Sequence, residues 1–242
     1  MTRPEAFFLH GVAVGVMTYG FISLRTLPMD AWIRAQKGGH FQFLTIQGLA
    51  VAWLTMVLSL GYDVLPSFAG KRDSQPALST WSMTHSPALR AAKRASLMIA
   101  LPLTFVISAV YWSLLLFFPS LILQRQLPGL SEPSSSSTLP ALARIPFNID
   151  FSLHLAPVLA LFADFIFFEK KYTKKQVQIG SPLVVLACGT WYACWVEYCA
   201  SYNHTFPYPF LTENPFNIRV GIYIFVSLLA WSCFRLMNAL HP

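Results

Sequence analysis

Charge is what this sequence has least of. Lys, Arg, Asp and Glu make up 11% of its 242 residues, less than half of the roughly 25% that a water-soluble domain carries. A surface that faces water on all sides cannot be built from this composition. Histidine clusters are missing too. The six histidines are scattered, with no HxxH or HxxxH pair, which argues against a membrane di-iron oxidase or desaturase. Cysteine is sparse: Cys188, Cys194, Cys199 and Cys233 all lie in apolar runs, with no CxxC. Neither a zinc site nor a disulfide framework is indicated, and the four are expected as small buried hydrophobes. No internal repeat is visible, so the inverted-repeat plan of many transporters is absent. No run carries the regular polar stripe of a channel.

What the sequence has in quantity is apolar length. Hydrophobic residues reach 55% and the mean hydropathy is +0.52. A bilayer-spanning helix needs roughly 20 mostly apolar residues, and six segments meet or approach this: residues 6–24, 41–62, 95–118, 149–168, 182–199 and 218–234. The expected fold class is all-α, a six-helix polytopic membrane bundle forming a single transmembrane domain. The first run has no small-residue cleavage site before Arg25 and reads as a retained helix rather than a signal peptide. Residues 70–87 and 127–140, the latter with Ser134 to Ser137, read as polar connectors.

With six spans, Lys and Arg number eleven on the side of the termini and six on the other. The excess, led by Lys170, Lys171, Lys174 and Lys175, places both termini in the cytosol. The formal charge of +7 sits in connectors without interleaved aromatics. Anionic headgroups rather than nucleic acid are the expected partner. The endoplasmic reticulum or the plasma membrane is the expected location. Asn203-His204-Thr205 is a glycosylation sequon on the expected non-cytosolic side.

Ionisable residues inside spans are costly and point to function. His154, Asp164, Glu197 and His10 are the candidates. At ~1.5 Å rise per residue, Thr45 lies about a turn inside the second span. His154 lies at a similar depth in the fourth, and Glu197 falls near the same end of the fifth. Asp164 and His10 belong to the cytosolic half. Gly48 shares the face of Thr45 and is expected to leave space there. A threonine bonded to its own i−4 carbonyl fits the Thr45 position equally well. Asp150 lies on the face of His154, four residues before it, and Pro157 is expected to kink the helix beside it. Burial favours the neutral imidazole, the form a general base needs. Glu197 also fits an interfacial aromatic girdle.

The stretch Gly38-Gly39-His40-Phe41-Gln42-Phe43-Leu44-Thr45 resembles the start of the second helix in the androgen-induced gene family, which includes the androgen-dependent TFPI-regulating proteins. The likeness continues through the Pro102 helix, the His154 helix, and Trp195 to Pro207-Tyr208-Pro209-Phe210-Leu211. It implies a membrane hydrolase of fatty acid esters of hydroxy fatty acids, with a threonine nucleophile and a histidine base. By motif these are Thr45 and His154. No cofactor or metal is implied, and the implied partner is a lipid ester. Substrate-binding candidates are Asn148, Asp150, Trp195, Glu197 and Tyr208. Asn148, Gln47 and the Trp195 indole are candidate oxyanion donors, and Arg34, Lys37 or Arg144 could meet a substrate carboxylate. The chain departs from the family at Glu197-Tyr198, where paired histidines stand, at Phe151, where a further histidine stands, and in a longer Ser134–Ser137 loop. Two other classes stay open. A non-catalytic lipid-binding or regulatory protein would tolerate Thr45→Ala. A small-molecule transporter would depend on Asp164 and Glu197.

Overall fold

With lipid on the outside, each span must satisfy its backbone hydrogen bonds internally, and a continuous helix does this. The computed structural model describes residues 4–70, 87–124 and 142–242, with backbone only at 66–70. Among the described residues, six helices are long and apolar enough to cross a membrane. These are α1 (Pro4–Ser23), α2 (Leu44–Gly70), α3 (Pro87–Phe117), α4 (Phe147–Phe168), α5 (Ser181–Asn203) and α6 (Phe216–Leu240). Most of both polar connectors, including Ser134 to Ser137, lies outside the described residues, as do Arg3, Lys71, Arg72 and Arg125.

Helices α1 to α4 form the core, closed by Met17, Met56, Leu97, Leu101, Leu161 and Phe165. Helices α5 and α6 form an outer pair. Their most apolar stretches are 17% buried, against 44% for α2, α3 and α4, so most of their surface is left to lipid. This explains one departure from expectation: of the four cysteines only Cys199 is buried, while Cys194 is exposed on α5.

Helix α4 is broken. Its two pieces, Phe147–His154 and Ala156–Phe168, meet at Leu155 (φ −110°, ψ −45°). Pro157 has no N–H for the Leu153 carbonyl, so the regular ladder cannot run through this point.

Helix α3 starts at Pro87, about two turns before the expected residue 95. Hydropathy misplaces its start because Arg90, Lys93 and Arg94 look like connector charges. Lys93 is instead buried, its ammonium 2.8 Å from Glu169 and 3.3 Å from Asp164. Arg94 holds Glu169 at 2.9 Å. His10, fully buried, bridges Asp63 (2.6 Å) and Asp164 (2.8 Å). One ionic cluster thus ties the same end of α1, α2, α3 and α4. Beside it the C-terminus is pinned: Tyr172 N–H donates to Asn238 (2.8 Å), and Lys171 donates to the His241 carbonyl (3.0 Å).

Candidate active site

The opposite end of the bundle carries the second polar cluster. Gly38 and Gly39 both have positive φ, +83° and +48°. A β-carbon at Gly38 would lie 2.7 Å from Cys199 Sγ, so the turn needs glycine for its conformation and for its contact with α5. A 3-10 turn over Gly39–Gln42 then leads into α2. Thr45 is the second residue of that helix, in its first turn, where unpaired amides and the helix dipole favour negative charge.

Thr45 Oγ1 lies 3.4 Å from His154 Nε2, with both side chains buried. That is long for a hydrogen bond. The alternative partner of Thr45, the Phe41 carbonyl, instead accepts from Gln47 (2.8 Å) and the Trp195 indole (2.9 Å). On its other side, His154 Nδ1 is 2.7 Å from Asp150 Oδ1. An ionised Asp150 accepts the Nδ1 proton, which leaves the Nε2 lone pair facing Thr45. Asp150 and His154 meet because they are four apart on the first piece of α4, and that piece ends at His154. The Tyr111 ring lies parallel to the imidazole, 3.5 Å between centroids at 2°.

Thr45 and Tyr111 open on a cavity of about 270 Å³, lined by α2 and α3 on one side and α5 and α6 on the other. It runs along α3 from Tyr111 to Met98, roughly 20 Å at the helical rise. Its walls are almost wholly apolar; Val106, Val184, Ile222 and Val226 are typical. Gly48 contributes no space to it, contrary to expectation. A β-carbon there would collide with Ile107 Cδ1, so Gly48 lets α2 and α3 pack closely.

The remaining candidates separate. Tyr208 joins the group: it lines the cavity, and its hydroxyl receives the Thr45 N–H at 3.5 Å. Asn148 bonds the Tyr19 hydroxyl on the exposed side. Trp195 is held by Phe41 and stacks on Trp191. Glu197 forms a double contact with Arg219 (2.7 and 2.8 Å) and accepts from Tyr223 (2.9 Å); only Tyr223 of these lines the cavity. Arg34 is paired with Asp30 at 2.9 Å and Lys37 lies over the rings of Tyr198 and Tyr202. Arg144 is exposed. Asn203 exchanges two bonds with the Lys37 backbone (2.7 and 3.1 Å), which a glycan there would displace. Asp164 and His10 lie in the distant ionic cluster. Sequence reasoning missed Tyr111 and Tyr192, which read as ordinary members of apolar runs. No group of three His, Cys, Asp or Glu side chains among the described residues could hold a metal.

Similarity to known proteins extends over nearly the whole chain. A family model described as FAR-17a/AIG1-like protein matches residues 5–242. A UPF0641 membrane protein of Schizosaccharomyces pombe is 28% identical over 242 residues, all of this chain and 92% of that one. A UPF0641 membrane protein of Saccharomyces cerevisiae is 24% identical over 228 residues, 93% of this chain and 85% of that one. No solved structure gives a significant match.

Proposed function

Because this chain belongs to the FAR-17a/AIG1-like family of membrane proteins, we propose that it is an intramembrane lipid ester hydrolase acting on fatty acid esters of hydroxy fatty acids. One observation carries the reading: a buried Thr45–His154–Asp150 relay opens on an apolar cavity among the spans. A relay of nucleophile, base and orienting acid suits acyl transfer. The apolar groove suits a substrate delivered from lipid. At roughly 20 Å by the helical rise, it exceeds the roughly 15 Å that half of a ~30 Å hydrocarbon core provides, so a long acyl chain fits along α3.

The ester enters laterally with its carbonyl beside Thr45. Thr45 Oγ attacks the carbonyl carbon while its proton passes to His154 Nε2, and the carbonyl π pair moves to oxygen. Collapse breaks the bond to the alkoxy oxygen, which takes the proton from His154 and leaves as the hydroxy fatty acid. Water then attacks the acyl-threonine and gives one proton to His154. That proton returns to Thr45 Oγ as the fatty acid departs. Asp150 holds the imidazole and offsets its transient charge. With both termini in the cytosol, the relay faces the non-cytosolic leaflet, and the free carboxylate of the substrate reaches the exposed Arg144.

The test is hydrolysis of a branched fatty acid ester of a hydroxy fatty acid by the purified protein, beside Thr45→Ala and His154→Ala. The expected result is turnover in the parent and loss in both variants, with a fluorophosphonate label on the parent that Thr45→Ala abolishes. No turnover by folded parent across several lipid esters would sink the reading in favour of lipid binding without chemistry.

A further inference from the structure

An acyl-transfer site needs donors aimed at the oxygen that becomes negative, and the donors suggested by sequence are engaged elsewhere. Asn148 gives its amide to Tyr19, and both Gln47 and Trp195 give theirs to the Phe41 carbonyl. What does surround Thr45 is a pair of tyrosines. The Tyr208 hydroxyl receives the Thr45 N–H at 3.5 Å and is also approached by the Leu44 amide and by Tyr192. The two amides donate to it, while the Tyr192 oxygen and the Thr45 hydroxyl lie close enough to accept its own proton. Tyr192 in turn directs its hydroxyl at the Gln42 carbonyl, 3.4 Å away.

The hydroxyl is held rigidly. Tyr208 stands between Pro207 and Pro209. Its ring stacks on Phe210 (5.5 Å, 12°) and meets Phe43 edge-on (5.7 Å, 90°). Gln124 donates to the Phe206 and Pro207 carbonyls at 3.4 and 3.0 Å, tying down the residues before Tyr208. Burial pushes the Tyr208 hydroxyl above the ordinary phenol range, so it carries its proton at neutral pH. The first amides of the 27-residue α2 lie beside it, and their dipole favours negative charge at the same point.

We propose that the Tyr208 hydroxyl and the Thr45 amide form the oxyanion hole of this site, with Tyr192 as a positioning residue. This rests on the hydrolase reading and adds the group that stabilises its tetrahedral intermediate. As Thr45 Oγ bonds to the carbonyl carbon, the carbonyl oxygen gains the electron pair. It takes the Tyr208 O–H, which turns to it from the neighbouring hydroxyls, and the long, weakly held Thr45 N–H. Both contacts shorten only as charge develops, which is what lowers the barrier rather than the ground state.

The experiment compares full-length parent, Tyr208→Phe and Thr45→Ala in nanodiscs, with thermal melting to establish folding. Tyr208→Phe is expected to lower kcat by on the order of 10²-fold while KM stays within about threefold, because the hydroxyl acts on the transition state. A trifluoromethyl ketone, which forms a tetrahedral oxyanion on the nucleophile, is expected to lose inhibition by a similar factor, whereas inhibition by the product fatty acid does not change. Full turnover and full ketone inhibition in Tyr208→Phe, with Thr45→Ala inactive, would overturn the oxyanion assignment and leave the nucleophile in place. Full turnover in both variants would overturn the hydrolase reading along with it.

Discussion

Tyr111 and His154, 43 residues apart in sequence and on different helices, lie face to face at 3.5 Å with their ring planes 2° apart. The Tyr111 hydroxyl is buried with no close hydrogen bond among the described residues, and the Asp150 carboxylate is the group that acts on it most. The ring, which covers the imidazole face, is the part that touches His154. Tyr111→Phe is expected to retain turnover within about twofold and to melt no lower than the parent, since it removes an unsatisfied buried donor. Tyr111→Ala frees the imidazole and opens a cavity, costing about 3–5 kcal/mol, and should lower turnover by at least tenfold. Equal rates for the alanine variant and the parent would remove Tyr111 from the site.

Asp150 sets the tautomer of His154 through its 2.7 Å contact to Nδ1. In Asp150→Asn the side-chain amide can donate to Nδ1, which moves the imidazole proton to Nε2 and blocks acceptance from Thr45. A fall in kcat of about 10³- to 10⁴-fold is expected, with KM little changed. Kinetics on folded variant protein decide this. A kcat within threefold of the parent would mean that Asp150 only packs.

The site was partly legible in the sequence, and the reasons are physical. The long apolar runs identified the helices, because few other structures tolerate lipid. Helical rise put Thr45 and His154 at one depth, and i,i+4 spacing put Asp150 on the His154 face. Tyr111 and Tyr192 escaped because their roles depend on how α3 and α5 are rotated, and tyrosine in an apolar run carries no local mark of that. Lys93 was misplaced because hydropathy counts its charge and cannot see Asp164 and Glu169 arriving from α4 and its C-terminal end. Gly48 misled because a missing side chain invites a neighbour as readily as it leaves a void.

The His10–Asp63–Asp164–Lys93–Glu169 cluster is expected to hold the fold rather than the chemistry. Removing one partner of a buried ion pair strands the other charge, and about 3–5 kcal/mol is lost. Asp164→Ala should therefore lower the melting temperature in detergent markedly. Replacing Asp164 and Lys93 together by Leu and Met should recover part of the loss. Turnover per folded molecule should stay near the parental value in both. A variant that melts normally yet loses turnover would move Asp164 into the working machinery, as the transporter alternative requires.

Outside the spans, Asp30 accepts from His40 at 2.8 Å and pairs with Arg34 at 2.9 Å. His40, then Arg34, hold its carboxyl below the usual aspartate range. A depressed carboxyl contributes stability that is present above its unfolded pKa and is lost as pH falls through its folded value. Between neutral pH and the acid range, parent stability should fall more steeply than that of Asp30→Asn. Melting curves across that range test this. Identical slopes would mean that the Asp30 contacts contribute nothing to folding.

Met98 lies at the far end of the cavity from Tyr111, and its sulfur is 3.9 Å from where a β-carbon on Gly180 would stand. If the acyl chain runs along α3, its terminal carbons reach Met98 only when the chain is long. Met98→Trp fills that end without touching the relay. Turnover of long-chain esters should drop at least tenfold, chiefly through KM, while short-chain esters keep the parental rate. Met98→Ala lengthens the groove and should shift the preference toward longer chains. Overpacking of this kind costs about 1–3 kcal/mol, so both variants are read as ratios of long- to short-chain turnover within one preparation, where a stability loss cancels. An unchanged ratio in both would place the acyl chain elsewhere and leave the cavity to the hydroxy fatty acid.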